Sequence, residues 1–300
     1  MDRNLAQRIG FAAVAIPLAL AIVWYGGWPL AVLVALIAGL GARELFGLFR
    51  QTGGRAIEAL GVLGSVAVPI AAFLALTGNS RLATGCAYAA ALWLLAVLAA
   101  TLATHAPSAR PLEAVSVTVF AVCYAAALPA FLMDIRHAAH PERSWAGTWL
   151  VFFPLVVTWV CDTAAMFGGR TFGGAKLAPV VSPGKTRAGA VAGLLGALIA
   201  AVPFGLWVFP AVGVAAPLGA LLLIAAALSV AGQVGDLAES LFKREAGVKD
   251  SSDLIPGHGG VLDRFDSLYF VVPAAAVLYR LQERRSTGSR TGRGRRRVRG

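Results

Sequence analysis

The chain has 300 residues, of which 58% are hydrophobic and 14% are charged. Soluble domains carry about 25% charged residues, and the apolar residues of this chain come in long uninterrupted runs, so an ordinary soluble globular domain is excluded. The formal net charge is +11, but eight of those charges are arginines within the last 17 residues, so a basic folded domain is not indicated.

Nine apolar runs follow one another along the chain, and each approaches the roughly 20 residues that cross a hydrocarbon core of about 30 Å. They lie at residues 9–25, 28–42, 59–77, 82–104, 114–133, 146–167, 189–210, 213–235 and 265–281. The first run follows Arg3 and Arg8 as in a signal peptide, but a second run begins directly after it without a small-residue cleavage site. We therefore predict an all-α polytopic membrane protein with nine transmembrane helices.

Arginine and lysine in the loops predict which helix ends face the cytoplasm. If all runs cross, one side collects Arg3, Arg8, Arg43, Arg50, Arg55, the loop 168–188 and the segment 239–264. We therefore expect a bacterial-type inner (cytoplasmic) membrane protein whose polar site lies at the cytoplasmic membrane boundary. Nine crossings would place the C terminus on the other side, so either the last run does not fully cross or an earlier segment is miscounted.

Three regions are expected along the chain: an N-terminal multi-spanning region 1–144, a catalytic helical region 145–282 and an Arg-rich tail 283–300. The tail is rich in Gly, Ser and Arg without apolar periodicity, which predicts disorder. A polybasic segment beside a membrane favours binding to anionic lipid headgroups. Nucleic acid is the weaker alternative, because no folded basic domain accompanies the tail.

The first polar stretch begins within the sixth apolar run. Asp162 stands near the end of that run, where a carboxylate is costly and marks a functional site unless it reaches water from the helix end. Gly184 is not part of a P-loop, because Pro179 stands where the motif needs glycine and no strand precedes it. Hydroxyl and ammonium groups can still donate to phosphate oxygens, and the candidates here are Ser182, Lys185 and Thr186.

The second polar stretch, residues 236–267, separates the last two apolar runs. Asp236, Glu239 and Lys243 are spaced i, i+3 and i+7, so they share one face if the helix continues past its apolar part. Asp263 and Asp266 stand three residues apart at the start of the next run. Converging carboxylates repel one another and are costly to desolvate unless a cation neutralises them.

This pattern predicts a Mg²⁺ site among the four carboxylates of Asp236, Glu239, Asp263 and Asp266. The alternative is a set of helix-end salt bridges, which would add little stability. Their cationic partners would be Lys243, Arg244, Lys249 and Arg264.

A flexible glycine-rich turn at 256–260 carries a single histidine, His258. It fails the dinucleotide fingerprint, because Leu262 stands where the last glycine belongs. A general acid or base, a phosphate donor and an ordinary loop histidine all remain open for His258.

Taken together, these residues resemble the phosphatidate cytidylyltransferase (CDP-diacylglycerol synthase) family, whose signature is S-x-x-K-R-x4-K-D-x4-[hydrophobic]-P-G-H-G-G-x-x-D-R-x-D. The matching positions are Ser240, Lys243, Arg244, Lys249, Asp250, Ile255, Pro256, Gly257, His258, Gly259, Gly260, Asp263, Arg264 and Asp266. The resemblance covers about residues 160–282, and the N-terminal half is similar only in being multi-spanning. One departure is visible, since Arg187 and Ala188 stand where the family commonly has an aromatic residue followed by Glu or Gln.

The resemblance implies transfer of a cytidylyl group from CTP to phosphatidate, which forms CDP-diacylglycerol and pyrophosphate in phospholipid biosynthesis. It implies catalytic roles for Asp236, Lys243, Arg244, Lys249, Asp250, His258 and Asp263. It implies substrate-binding roles for Asp162, Lys176, Ser182, Lys185, Thr186, Glu239 and Arg264. It also implies that Asp236, Asp263 and Asp266 hold Mg²⁺, and whether a second cation binds stays open.

The implied partners are CTP, phosphatidate and membrane lipids, without nucleic acid, and a homodimer is one option for the oligomeric state. The alternatives are a CTP-dependent lipid kinase, a cytidylyltransferase acting on another lipid phosphate and an ion-coupled transporter. Charges at helix ends count against the transporter, whose ionisable residues should lie near the middle of the spans.

Overall fold

The computed structural model describes residues 16–78, 80–254 and 259–297, with side chains up to residue 284. Its helices are α1 Ile16–Tyr25, α2 Gly27–Gln51, α3 Glu58–Thr77, α4 Ser80–Thr104, α5 Pro111–His137, α6 Trp145–Phe172, α7 Arg187–Ala211, α8 Leu218–Glu245, α9 Leu262–Phe265 and α10 Leu268–Arg297. A short antiparallel hairpin, β1 Lys176–Ala178 and β2 Ser182–Thr186, connects α6 to α7.

Seven of these helices, α2 to α8, are long and apolar enough to cross a membrane. Within the described residues, each apolar run of the sequence falls largely within a helix, because buried or lipid-facing backbone must satisfy its hydrogen bonds internally. The prediction of an all-α polytopic membrane protein is therefore confirmed. The hairpin is a small departure from it within the part of the chain that the structure describes. The count of nine crossings stays a prediction, since seven of the described helices meet the length and hydropathy of a membrane span.

Helices α6 and α7 cross closely because glycines line their contact. A Cβ atom at Gly193 would lie 3.1 Å from the carbonyl oxygen of Cys161, and one at Gly196 would lie 2.6 Å from Cβ of Ala164. Small residues allow the backbones of membrane helices to approach in this way. The close pair holds the hairpin beside the end of α8, where Arg244 Nε donates to the carbonyl oxygen of Val181 at 3.2 Å.

One hydrophobic core joins the N-terminal and C-terminal halves of the chain. It contains Val23 and Phe73 from the first half, together with Val157, Leu228 and Val271 from the second. The core therefore packs the two halves of the chain together in one bundle.

The last helix runs from the polar segment to the opposite end of the bundle. Tyr279 Oη donates to the carbonyl oxygen of Leu150 at 3.0 Å, and Arg280 Nε donates to Asp134 Oδ2 at 2.9 Å near the far end of α5. These contacts place the C-terminal part of α10 at the far end of the bundle, but α10 is not among the seven helices that are long and apolar enough to cross a membrane, so both alternatives for the final run stay predictions.

The backbone of α10 stays helical to Arg297 and so enters the Arg-rich tail, for which composition predicts disorder. The disorder of residues 283–300 stays a prediction.

Candidate active site

A buried ionic triad lies at the end of α8 and links that helix to α9. The ammonium of Lys243 lies 2.5 Å from Glu239 Oε2 and 2.7 Å from Asp263 Oδ1. Lys243 is 8% exposed and Glu239 is 0% exposed. The predicted continuation of the helix past its apolar part is confirmed, since α8 extends to Glu245 and carries Asp236, Glu239 and Lys243 together.

The second carboxylate oxygen of Asp263 accepts three hydrogen bonds. Oδ2 accepts from Ser251 N at 2.9 Å, Ser251 Oγ at 2.8 Å and Gly260 N at 2.8 Å. Burial alone would raise the pKa of Asp263, but the Lys243 ammonium and the Gly260 and Ser251 donors outweigh it and lower the pKa to about 2. Asp263 is therefore an ionised anchor for Lys243.

The glycine pair of the signature allows the chain to approach this carboxylate. Gly259 has a positive φ of 77°, a conformation that favours glycine. A Cβ atom at Gly259 would lie 2.6 Å from Asp263 Oδ2. A side chain at this position would therefore displace the carboxylate from its donors.

A second ion pair joins the hairpin to α8. Lys185 Nζ, on β2, lies 2.5 Å from Asp236 Oδ2, and Ser240 Oγ donates to Asp236 Oδ1 at 3.4 Å. The side chains of Lys185 and Asp236 are each partly exposed, although the Nζ atom of Lys185 is itself buried. The neighbouring Thr186 is buried, and its Oγ1 accepts from Gly189 N at 3.0 Å as the N-cap of α7.

Two further carboxylates stand close to this ion pair. Asp162 on α6 lies within electrostatic range of Asp266, Asp236 and Lys185. Asp266 Oδ1 accepts from Ser267 N at 2.6 Å. Burial raises the pKa of Asp266 to about 6, and the negative charge of Asp236 adds to the shift.

The remaining candidates lie around this centre rather than in it. Arg244 is exposed and bonds two backbone carbonyls, those of Val181 and Val248. Ser182 is half-buried in β2. The other exposed candidates are Lys176, Lys249, Asp250 and Arg264. His258 lies outside the described residues.

Sequence reasoning missed three buried residues of the site. Glu44 of α2 accepts hydrogen bonds from the segments that flank the glycine-rich turn. Asp162 is marked because it lies within an apolar run, but Glu44 stands two residues beyond the run 28–42 and directly after Arg43, so that rule does not find it. Tyr124 and Tyr269, with ring centroids 4.7 Å apart, carry no comparable signal, because tyrosines are common in apolar runs.

Unpartnered polar atoms lie beside the triad. The hydroxyls of Tyr124 and Tyr269 and Oε1 of Glu239 are buried, and none has a hydrogen-bond partner among the described residues. Buried polar groups are nearly always satisfied by protein, water or ligand. These atoms are therefore candidate contacts for a water molecule or a substrate oxygen.

The structure does not assemble Asp236, Asp263 and Asp266 as one ligand set. Within residues 16–78, 80–254 and 259–297, no three Asp, Glu, His or Cys side chains are grouped so that they could hold a metal ion. The reason is that both oxygens of Asp263 are engaged by Lys243, Ser251 and Gly260. Mg²⁺, however, often uses only one or two carboxylates and takes its other ligands from water and substrate phosphates. The chemistry of Asp236 and Asp266 fits that mode.

Negative charge dominates the described part of this site. At the centre of the site, six carboxylates outnumber the ammonium groups of Lys185 and Lys243, while the exposed cations Arg244, Lys249 and Arg264 stand around it. The six are Glu44, Asp162, Asp236, Glu239, Asp263 and Asp266. A polyanionic ligand would be repelled by this arrangement unless additional positive charge accompanied it.

Comparison with known proteins gives consistent matches. The sequence pattern described as "Cytidylyltransferase family" matches residues 6–282. Among similar proteins, the phosphatidate cytidylyltransferase of Staphylococcus saprophyticus is 47% identical over 137 residues, which cover 46% of this chain and 51% of that protein.

Two further relatives with the same name come from other bacteria. That of Brucella suis is 52% identical over 134 residues, covering 44% of this chain and 46% of that protein. That of Bacillus subtilis is 46% identical over 127 residues, covering 42% of this chain and 46% of that protein. The chain therefore spans about half the length of the curated relatives it matches.

Proposed function

Because this chain belongs to the cytidylyltransferase family, we propose that it transfers the cytidylyl group of CTP to phosphatidate and forms CDP-diacylglycerol and pyrophosphate. The printed name of the bacterial relatives supports this pair of substrates. The observation that carries the proposal is the buried triad of Glu239, Lys243 and Asp263, at the end of a bundle of membrane helices. A membrane-bound lipid phosphate and a soluble nucleotide can meet at such a boundary.

The reaction needs positioning more than covalent chemistry from the protein. A phosphate oxygen of phosphatidate attacks the α-phosphorus of CTP in line, and the bond between that phosphorus and the oxygen leading to the β-phosphate breaks. The electron pair of that bond leaves with pyrophosphate. A protein nucleophile is not required.

Lys243 is the group best placed to contact the reacting phosphates. Its ammonium has three N–H donors, of which Glu239 and Asp263 take two, so the third can donate to a phosphate oxygen. The carboxylates on both sides fix the direction of that donor. Preorganised donors of this kind stabilise charge that develops in a transition state.

Lys185 stands at the more open part of the site and supplies a second donor, while its pairing with Asp236 holds the hairpin against α8. Arg244, Lys249 and Arg264 are exposed around the site, so we assign them to drawing in the triphosphate.

Magnesium is part of the proposal, with Asp236 and Asp266 as the residues that would hold it. When bound, a divalent cation would neutralise phosphate charge and orient the two reactants. The excess of carboxylates over ammonium groups supports this requirement. Whether a second cation binds is left open.

For the location, we propose the inner membrane of a bacterium, with the site on the cytoplasmic face. The described loops, hairpin and helix ends at the site end carry Arg55, Arg170, Lys176 and Lys249, which agrees with the excess of cations on the cytoplasmic side of membrane proteins. CTP is also a soluble cytoplasmic nucleotide.

The test uses the purified full-length chain in detergent with phosphatidate, CTP and Mg²⁺. We expect CDP-diacylglycerol and pyrophosphate to appear in equal amounts, and Asp236→Asn to slow their formation by about 100-fold or more. Asp253→Asn is the matched control, because Asp253 is an exposed aspartate in the same segment. Its rate should match the wild-type rate.

The products also separate the alternatives. Release of CDP instead of pyrophosphate would indicate a CTP-dependent lipid kinase. Activity only with a different lipid phosphate would keep the chemistry and change the acceptor. Transport of a labelled solute into vesicles without nucleotide turnover would contradict an enzymatic role altogether.

A further inference from the structure

Glu44 is a carboxylate of the N-terminal half that binds the signature segment on both sides of the glycine-rich turn. Oε1 accepts from Ser252 Oγ at 2.7 Å and from Val261 N at 2.9 Å. Oε2 accepts from Ser251 Oγ at 3.0 Å and from Leu262 N at 2.7 Å. Glu44 is 7% exposed, so these four contacts are shielded from water.

Ser251 connects Glu44 directly to the ionic triad. Its hydroxyl lies 3.0 Å from Glu44 Oε2 and 2.8 Å from Asp263 Oδ2, while its backbone N–H also donates to Asp263. The two carboxylates therefore share one hydroxyl. A displacement of Glu44 would move the donors that keep Asp263 in place.

Gly260 packs against both Ser251 and Glu44 at this contact. A Cβ atom at this position would collide with Ser251 Oγ and with the carboxylate of Glu44. Its backbone N–H donates to Asp263. The absence of a side chain thus lets Glu44, Ser251 and Asp263 meet.

We propose that Glu44 is a positioning residue for the reaction: its carboxylate holds residues 251–252 and 261–262 so that Asp263 sets the position of the Lys243 ammonium at the reacting phosphates. This inference rests on the function proposed above. Glu44 itself lies behind Asp263 and acts through it. The N-terminal half therefore contributes to catalysis as well as to the membrane bundle.

The test is Glu44→Gln, which keeps the size of the side chain but replaces one acceptor oxygen with an amide NH2 group. All four contacts of Glu44 come from donors, so the amide must face at least one donor that it cannot accept from. We expect kcat to fall by about tenfold to a hundredfold, because small misplacements at a reacting centre cost that much. The KM for CTP should stay within about twofold.

Glu58→Gln is the matched control. Glu58 begins α3 at the same end of the bundle and pairs with Arg50, away from the signature segment. This variant should keep the wild-type kcat and KM. If neither the wild type nor this control releases pyrophosphate, the proposed function fails.

Backbone hydrogen exchange gives a readout that does not need turnover. In Glu44→Gln we expect faster exchange at residues 251–254 and 259–262, with the apolar helices unchanged. A kcat within about twofold of wild type would overturn the proposal. Faster exchange throughout the helices would also overturn it, since it would indicate general destabilisation.

Ser252→Ala keeps the proposal testable if Glu44→Gln does not fold. It removes one donor to Glu44 and leaves the described contacts of Asp263 in place. We expect kcat to fall by about threefold to tenfold, the worth of one hydrogen bond, with faster exchange over the same residues. Wild-type kcat and wild-type exchange in this variant would overturn the proposal.

Discussion

Both ends of the helix bundle bury a cation, but the two environments are opposite in character. At the far end, Arg136 is 0% exposed and donates to the backbone carbonyls of Val23 and Trp24 at 2.7 Å and of Pro141 at 2.9 Å. At the site end, Lys243 is surrounded by carboxylates that outnumber the cations.

At the far end, backbone carbonyls satisfy the buried guanidinium of Arg136. Arg136 satisfies carbonyl groups at the end of α1, and His137 Nε2 accepts from Gly27 N at 2.8 Å at the start of α2. Helix ends leave such groups without intrahelical partners, so these contacts stabilise the connection between the two helices. The His137 contact requires an unprotonated Nε2.

The site end differs in that its charges are unbalanced. Buried atoms without a partner among the described residues do not by themselves separate the two ends, because they include Nε1 of Trp24 at the far end as well as polar atoms of Tyr124, Glu239 and Tyr269 at the site end. The comparison shows that burial of a charge does not by itself identify function. A satisfied buried charge stabilises the fold, whereas an unbalanced one indicates that a ligand completes the site.

Removing the cation of the triad should have the largest effect. In Lys243→Met, Glu239 and Asp263 lose their shared partner, and the donor to the reacting phosphate disappears. We expect kcat to fall by about 1,000-fold and the free energy of unfolding to fall by about 3 kcal/mol. Pyrophosphate release and thermal unfolding in detergent measure the two effects.

Arg50→Met is the control for that change, because Arg50 is an exposed cation at the same end of the bundle. Its activity and stability should stay near those of the wild type. A Lys243→Met protein with a rate within about tenfold of wild type would contradict the assignment of Lys243 to the reacting phosphates.

An acidic limb in the pH–rate profile should follow from Asp266. Burial, with the charge of Asp236 adding to it, raises the pKa of Asp266 to about 6, so its carboxylate takes up a proton as the pH falls through that value. We expect kcat/KM at low Mg²⁺ to fall with a midpoint near pH 6. In Asp266→Asn the activity should be low and this limb should vanish.

The fold should not weaken over the same pH range, which separates loss of activity from unfolding. A carboxylate with a raised folded pKa favours the folded state on protonation, so Asp266 adds stability as the pH falls from about 6 towards 4. Asp263, with its pKa lowered to about 2, stays ionised there, and its contribution is lost only as the pH falls below about 4 towards 2. Unfolding transitions recorded between pH 5 and 7 test whether the folded state keeps its stability as the pH falls. This range is chosen because it spans the raised pKa of Asp266, about 6.

The magnesium concentration should shift the midpoint of the acidic limb in the pH–rate profile. A cation and a proton compete for the Asp266 carboxylate, so higher Mg²⁺ should shift the midpoint to lower pH. A midpoint that does not depend on Mg²⁺ would argue that Asp266 does not hold the cation.

Breaking the far end should have the smallest effect on turnover. Arg136→Met leaves three backbone carbonyls without their donors, so we expect the free energy of unfolding to fall by about 3 kcal/mol. The kcat of the folded protein should stay within about twofold of wild type. A strongly reduced kcat at a temperature where the variant is folded would show that the far end also supports catalysis.

Local patterns in the sequence were sufficient for the helices and for part of the site. The apolar runs predicted the helices because each run must satisfy its backbone hydrogen bonds within itself. The spacing of Asp236, Glu239 and Lys243 predicted their shared helix because the positions recur with the helical period. Helix α8 and its Glu239–Lys243 ion pair confirm both interpretations.

Contacts between distant parts of the chain were decided only by the tertiary structure. Glu44 meets Leu262 across 218 residues, and no local pattern encodes which residue of one helix faces a loop after another. The same packing turns Asp263 towards Lys243 and Ser251 and away from a shared carboxylate set. Helical periodicity reports which residues share a face, whereas the partner of that face depends on how all the helices pack together.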